Sequence, residues 1–435
     1  GVFFIRVRYT GYMPPVISGQ SMALFNNLAN LWFATWWIIL PIFLFPVFIK
    51  MWLFYIRRDY VTKLTWVMLQ VRVPAEVLKT PKAMEQVFAA AHGTYSYGIK
   101  PFDKWWNGEI EHWSSFEIMA DANGPRFYIR VIANHQKMLE AAIYSQYPDA
   151  EIQVMEDYAA KFPLVLPNDM YDMQGADFVL GKNDAFPIRT YEYFEAKEAD
   201  EKIDTIGTLM EALSHHAGDE TTWIHVMIRP TNNAWIKKAE EFRDEELLMT
   251  KDKKPKRADF IKAFFKNLFH APFLKEDEEL EWPEIKKGEK IKMMELIPSK
   301  KIKLEAIDMK LSKLAFETVV RWVHINRRED YNLANTAGIK AWSKQFSDEN
   351  LNILMPYLPT YTVVAKWPFK KRKQYVKKRL LYENAIKRRF PSKFSMLNIE
   401  ELATIYHFPS ATVKTPMLGR VEAKKGTPPA SLPIE

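Results

Sequence analysis

The chain has 435 residues, 48% hydrophobic and 14% aromatic, and carries a formal net charge of +8 at pH 7, which is enough for two or three folded domains with large cores. A mean hydropathy of −0.26 argues against a polytopic membrane protein. The basic balance suits an anionic partner, lipid or nucleic acid, without choosing between them. With no cysteine there is no disulfide, thiol nucleophile or cysteine-ligated zinc, as fits a reducing compartment.

Gly1 stands where an initiator Met would be, which points to processing or to a start further upstream. Residues 1–30 read as a non-cytoplasmic segment in which Val2–Tyr9 alternates like a strand. From Leu31 to Ile49 the chain runs LWFATWWIILPIFLFPVFI without a charge. At about 1.5 Å rise per residue this nearly covers a hydrocarbon core of about 30 Å. The apolar run resumes after Lys50, so a tilted helix over 31–56 is expected, with Lys50 snorkelling to the interface. Leu31, Trp32, Trp36 and Trp37 mark one end and Trp52 and Tyr55 the other, as in an aromatic belt. Pro41 and Pro46 are tolerated in a bilayer, and the lack of a small-residue cleavage site argues against a signal peptide. Lys50, Arg57, Arg58 and Lys63 follow the span, whereas Tyr9–Ile49 contains no Lys or Arg. The positive-inside rule therefore predicts a single-pass plasma (inner) membrane protein with a cytoplasmic C-terminal region.

Residues 64–73 alternate and predict a strand. Thr80–Pro81 opens a helix with Met84, Val87, Phe88 and Ala91 on one face. Residues 110–120 and 126–133 predict strands joined by the Asp121-Ala122-Asn123-Gly124 hairpin. Asn134 is expected to cap the next helix, which Tyr147-Pro148-Asp149 ends before a strand at Glu151–Met155. The order over 64–160 is β-α-β-β-α-β, a ferredoxin-like unit. A second such unit over 177–365 is predicted from a strand at 187–194, a helix at 203–215, strands at 221–228 and 316–325, a helix at 332–345 and a strand at 351–355. A helical insertion at about 232–312 interrupts it. The predicted fold class is therefore α+β: one transmembrane helix followed by two ferredoxin-like units.

Within the insertion, Asn233–Met249 reads as a polar amphipathic helix and 250–257 (TKDKKPKR) as a coreless loop. Phe260, Ile261, Phe264, Phe265, Leu268 and Phe269 form an apolar stripe suited to the domain's own core, a partner helix or a membrane surface. Residues 366–410 form a basic helical segment, and 411–435 a Pro-rich arm. Between Lys366 and Lys393 the only acid is Glu383. A helix after Pro368 would place Val376 and Leu380 on one face. Lys370, Lys371, Arg372, Lys373, Lys377, Lys378, Arg379, Lys387, Arg388 and Arg389 supply a broad basic surface. These ten residues are candidates for contact with phosphates of lipid or nucleic acid; the plain alternative is a solvated face. Asn398 should cap a short helix carrying Glu400 and Glu401 in its first turn, buried through Leu402, Ile405 and Tyr406 and ended by Pro409.

Several catalytic motifs are absent from the sequence, and its scattered acidic residues single out no catalytic pair. No Walker A motif occurs; Gly175 to Asn183 has the wrong spacing and lacks the Mg²⁺-binding hydroxyl. No HExxH helix or G-x-S-x-G elbow is present. His215 and His216 are adjacent, and neighbouring positions point in different directions, so they are not expected to share a metal. No catalytic residue, cofactor or metal site is predicted.

Two stretches, VMLQVRVPAEVLKTPKAMEQVFAAAHGTYS at 67–96 and LNIEELATIYHFPSATVKTPMLGRVEAKKGTPPASLPI at 397–434, resemble the membrane-anchored N-terminal region of type IV secretion or conjugation-type ATPases of candidate-phyla bacteria. In that family the Pro-rich stretch leads towards a P-loop motor, which this sequence lacks. The resemblance implies a DNA- or protein-translocation setting and carries over no catalytic residue. The expected function is a non-catalytic, oligomeric, membrane-anchored scaffold on which a separate motor ATPase docks, with the bilayer, protein subunits and nucleic acid as partners. Two alternatives stand beside it: the membrane-proximal part of a longer ATPase continuing past Glu435, and a structural membrane protein unrelated to transport.

Overall fold

The apolar alternation of the strands resolves into one sheet in a computed structural model, which describes residues 19–74, 79–194, 204–248, 297–331, 336–365, 368–411 and 413. The stretch 2–9, the loop 250–257, the Phe260–Phe269 stripe and nearly all of the Pro-rich arm lie outside the described residues. Two units are distinct: Gly1–Leu64 with Ile99–Ile110, and Thr65–Gly98 with Glu111–Glu435.

In the first unit α1 (Gly19–Lys63) continues through Pro41 and Pro46. Its part Asn30–Lys63 is long and apolar enough to cross a membrane: its most apolar 18-residue stretch has a mean hydropathy of 2.1 and buries none of its residues. The strap at 99–110 packs against the helix. Trp52 Nε1 donates to the Trp105 carbonyl at 3.0 Å, and the Trp52 and Trp106 rings lie 6.0 Å apart. Gly108 sits at φ +70°, where a Cβ would collide with the Ile56 backbone, so glycine is required there for close approach.

The second unit is α+β. Its strands are β1 (Trp66–Arg72), β2 (Ser114–Asp121), β3 (Gly124–Ile132), β4 (Glu151–Met155), β5 (Tyr171–Leu180), β6 (Thr221–Pro230), β7 (Ala315–Arg327), β8 (Leu354–Pro356) and β9 (Ser395–Asn398). Its helices are α2 (Pro81–His92), α3 (Gln136–Gln146), α4 (Gly207–Ser214), α5 (Ala234–Arg243), α6 (Pro298–Ser312), α7 (Ala337–Gln345), α8 (Lys370–Ile386) and α9 (Ile399–Ile405). The strands form one antiparallel sheet in the order β4-β1-β3-β2-β6-β7-β5-β8, and β9 pairs with the start of β7. The first half runs β1-α2-β2-β3-α3-β4; with the insertion helices α5 and α6 set aside, the second runs β5-α4-β6-β7-α7-β8. Numbered within its half, each has the order 4-1-3-2, and the halves join where β2 pairs with β6.

Alternation sends Leu69, Phe116, Ile129, Val226, Trp322 and Phe178 to one face, where helices α2, α3, α4, α7 and α9 bury them. The opposite face carries Met68, Met119, Tyr128, Trp223 and Val323 and is covered by Tyr158, Leu166, and by Leu381, Tyr382 and Ala385 of α8. Burial on both faces explains why β6 (TTWIHVMIRP) reads as a nearly continuous apolar run. The insertion helices α5 and α6 close a smaller core through Ala239, Leu304 and Ile307 against Ala185 and Phe186.

Two expectations require correction. The strand expected at 187–194 does not form. Its backbone donors go elsewhere: Ile188 N to Glu401 Oε1, Arg189 N to the Phe346 carbonyl, and Tyr191 N to Thr404 Oγ1. The first strand of the second half is instead β5, starting at Tyr171. Asn134 is not a cap, because α3 begins at Gln136 after a 3₁₀ turn over Ala133–His135. Val376 and Leu380 of α8 share a face, and it points outward, 46% and 55% exposed. By contrast Asn398 caps α9 in a full capping box with Glu401, and Leu402, Ile405 and Tyr406 are buried as expected.

Candidate functional site

The basic helix α8 begins after Phe369 in the left-handed region and ends before Arg388, at φ +44°. Its inward stripe of Leu381, Tyr382 and Ala385 lies four, or three and four, residues apart and packs on the sheet. Two guanidinium groups fix its C-terminal end. Arg321, reaching up from β7, binds Asp177 through Nε at 2.6 Å and donates to the Asn384 carbonyl at 2.7 Å. A cation is favourable at that carbonyl end of a helix. Arg388 reaches down to Glu117 at 3.0 Å and to Asp157 at 2.6 Å.

Beneath α8 lies a polar row that crosses the sheet from strand to strand: Glu117 on β2 opposite His225 on β6, His225 opposite Arg321 on β7, and Arg321 opposite Asp177 on β5. Tyr158 completes it, with its hydroxyl 2.5 Å from Glu117 Oε2 and 2.8 Å from His225 Nε2. Burial would raise the Glu117 carboxyl, but the Arg388 charge, His225 and the hydrogen bonds overcome it and hold the group near about 2. Burial pushes His225 down to about 3, against the opposing pull of Glu117, so its ring is neutral at pH 7. Burial, followed by the Glu117 charge, drives the Tyr158 hydroxyl well above its ordinary range. The five groups of the row, Glu117, His225, Arg321, Asp177 and Tyr158, are all buried. The row is a clamp whose chemistry is to hold α8 on the sheet.

The ten basic candidates therefore separate. Arg388 is buried in the clamp, and Lys378 is turned inward onto Asp172 at 2.6 Å. Lys377 donates to the carbonyls of Leu358 and Tyr361. Lys387 and Arg389 pair with Glu383. Lys370, Lys371, Arg372, Lys373 and Arg379 are exposed. Beside these five stand the exposed apolar groups Phe369, Tyr375, Val376 and Leu380, so the outer face of α8 is both basic and apolar. Of the membrane-anchor residues, Leu31, Trp32, Trp36, Trp37 and Tyr55 are exposed, and Trp52 is half-buried under the strap. The strap adds Phe102, Trp105 and Trp106, all exposed aromatics. The sequence reading missed them because they lie far from the apolar helix in the chain.

Glu117, His225, Arg321 and Asp177 were also missed, although each interrupts an otherwise apolar strand, and that is the signal to look for. The adjacent histidines do part as expected. His215 is exposed beside Glu211, 3.4 Å away. His216 turns inward, and its Nε2 lies 2.7 Å from Thr222 Oγ1. Thr222 in turn lies 3.0 Å from Nδ1 of His324.

These features define an α+β protein built on one antiparallel sheet, with an N-terminal helix of membrane-spanning length. The chain belongs to the family described as Domain of unknown function (DUF8128), which residues 63–420 match. No curated protein matches it.

Proposed function

We propose that this chain is a single-pass, membrane-anchored, non-catalytic platform of a secretion or DNA-transfer apparatus, cytoplasmic after α1, on which a separately encoded motor ATPase docks. The observation that carries the anchor is the helix Asn30–Lys63, whose most apolar stretch buries none of its residues, which in water would leave a far larger apolar surface than soluble proteins tolerate. The strap aromatics beside Trp52 supply the amphipathic rings favoured at a membrane interface. The platform reading draws on the sheet. We read each half as a ferredoxin-like unit, the two related by duplication, which the mirrored 4-1-3-2 order supports. The resemblance of residues 67–96 and 397–434 to secretion-type ATPases supplies the transport setting.

The outer face of α8 is the proposed anionic contact. Lys370, Lys371, Arg372 and Lys373 occupy its first turn, where the helix dipole favours negative charge rather than positive. An anionic surface, inner-leaflet lipid or nucleic acid, relieves that repulsion, and the adjacent Phe369, Tyr375 and Val376 fit a lipid interface. The deciding experiment is crosslinking in intact cells, then purification of the full chain in detergent. A stoichiometric P-loop ATPase among the crosslinked proteins is expected. Recovery of the chain alone, or its release from membranes by alkaline washing, would overturn the reading.

A further inference from the structure

Three buried groups outside the clamp converge at the end of α4. The loop 215–220, turned by Gly218 at φ +60°, carries His216 and Glu220 four residues apart. The fold brings them to His324 on β7, whose strand neighbour is Thr222. One ligand atom from each of His216, Glu220 and His324 lies within 4.8 Å of the others, and all three residues are buried. Tetrahedral coordination at about 2.0–2.1 Å places ligands about 3.3 Å apart, so small side-chain rotations close the set. Nε2 of His324 is buried, faces Glu220 Oε1 at 3.5 Å and makes no hydrogen bond. A buried polar atom without a partner costs roughly 1–3 kcal/mol, and coordination removes that cost. Thr222 Oγ1 touches both rings, the outer-shell contact that orients metal-bound imidazoles. Burial lowers the pKa of both histidines, so the rings are neutral near pH 7, the form that binds metals.

We propose that His216, Glu220 and His324 form a site for Zn²⁺ or another borderline divalent transition ion, which pins the loop 215–220 to the sheet. Two imidazoles and one carboxylate suit such ions and not Ca²⁺ or Mg²⁺, which take oxygen ligands. The absence of cysteine leaves no thiolate to compete. A water molecule would complete four-coordination beside the three enclosed ligands, and the site is independent of the transport reading.

The test uses the tag-free full chain in detergent, stripped with a chelator and titrated with Zn²⁺ and with Co²⁺ as the spectroscopic probe. One equivalent of either is expected, with the intense visible bands of four-coordinate Co²⁺ and a rise in thermal midpoint that Mg²⁺ and Ca²⁺ do not produce. His324→Gln should abolish binding, Glu220→Gln should weaken it, and Thr222→Val should weaken it about 10–100-fold through lost ring orientation. The pair His112 and His135, with ring nitrogens 3.0 Å apart, is the competing site. Binding that survives His324→Gln but vanishes in a His112→Gln/His135→Gln double variant overturns the proposal, as does a wild-type chain that takes up no metal. Should His324→Gln fail to fold, one equivalent retained by the folded double variant and weakened by Thr222→Val supports the site; no equivalent in that double variant refutes it.

Discussion

Arg388 is the residue on which the packing of α8 turns. It is fully buried and makes hydrogen bonds to both Glu117 and Asp157. Replacing it by Met leaves the Glu117 charge enclosed, and removing one partner of a buried pair costs about 3–5 kcal/mol. Arg388→Met should therefore lower the urea midpoint sharply, and Arg388→Met with Glu117→Gln should recover part of the loss. Equal midpoints for the single and double variants would contradict the clamp. His225 makes a separate prediction. Its folded pKa is about 3 against about 6.5 unfolded, so between those values the unfolded chain binds a proton that the folded chain does not. Stability is full above about pH 6.5 and falls as pH drops towards 3, by about 2 kcal/mol at pH 5. Glu117, held at about 2 in the folded chain against about 4.3 unfolded, adds its loss between those two values, below the pH 7 to 5 window of the test. His225→Gln should reduce the dependence of the urea midpoint on pH between pH 7 and 5. His324, also held down to about 3, and His92, His112, His135 and His216, lowered by burial, leave a residual slope. Wild type and variant with the same slope would remove His225 from the account.

At the scale of elements, α8 has two faces with opposite expectations. Leu381→Ala empties a buried position and should cost about 2–5 kcal/mol. Replacing Lys370, Lys371, Arg372 and Lys373 by Gln should leave the midpoint unchanged or raise it, because it removes repulsion with the helix dipole. In bilayer discs of anionic lipid, hydrogen exchange in the first turns of α8 should slow relative to zwitterionic discs, and the quadruple variant should lose the difference. No difference in wild type, together with salt-steep DNA binding of slope about −0.9 per phosphate, would assign the face to nucleic acid. The strands with clean apolar alternation, β1, β2, β3, β6 and β7, were legible in the sequence, as were the Asp121–Gly124 hairpin and the Asn398 cap. β5 was not. Its sequence YDMQGADFVL places Asp177 and Gly175 inside the sheet, and those residues make sense only beside partners far away in the chain. Asp177 binds Arg321, and Gly175 leaves the space taken by the Trp322 carbonyl and the Leu381 side chain. Gly175→Ala should destabilise by the same overpacking that closes this gap, about 1–3 kcal/mol, read as a lower thermal midpoint. The same reasoning explains the misread 187–194: its alternation is real, but its donors are consumed by α9 and by the Phe346 carbonyl, which no local pattern records.

For the whole molecule the decisive question is whether α1 crosses a bilayer. A helix with both Trp-rich ends intact and no charge over Leu31–Ile49 satisfies its backbone internally, which is what the hydrocarbon core demands. Leu40→Arg with Leu44→Arg places two cations about one helical turn apart near the middle of that stretch, on positions that are exposed. Each costs about 2.5–3.5 kcal/mol at the centre of a span on the insertion scale. The double variant should shift from the alkali-resistant membrane pellet to the supernatant, while the sheet and its clamp, which do not involve these residues, keep their urea midpoint. Orientation is tested on the same cells. If the proposed topology holds, with Arg57, Arg58 and Lys63 keeping the C-terminal end of α1 on the cytoplasmic side, protease added outside should leave 64–435 intact in wild type. Cleavage within that region from outside would reverse the topology. An alkali-resistant double variant would instead mean that α1 is not what retains the chain.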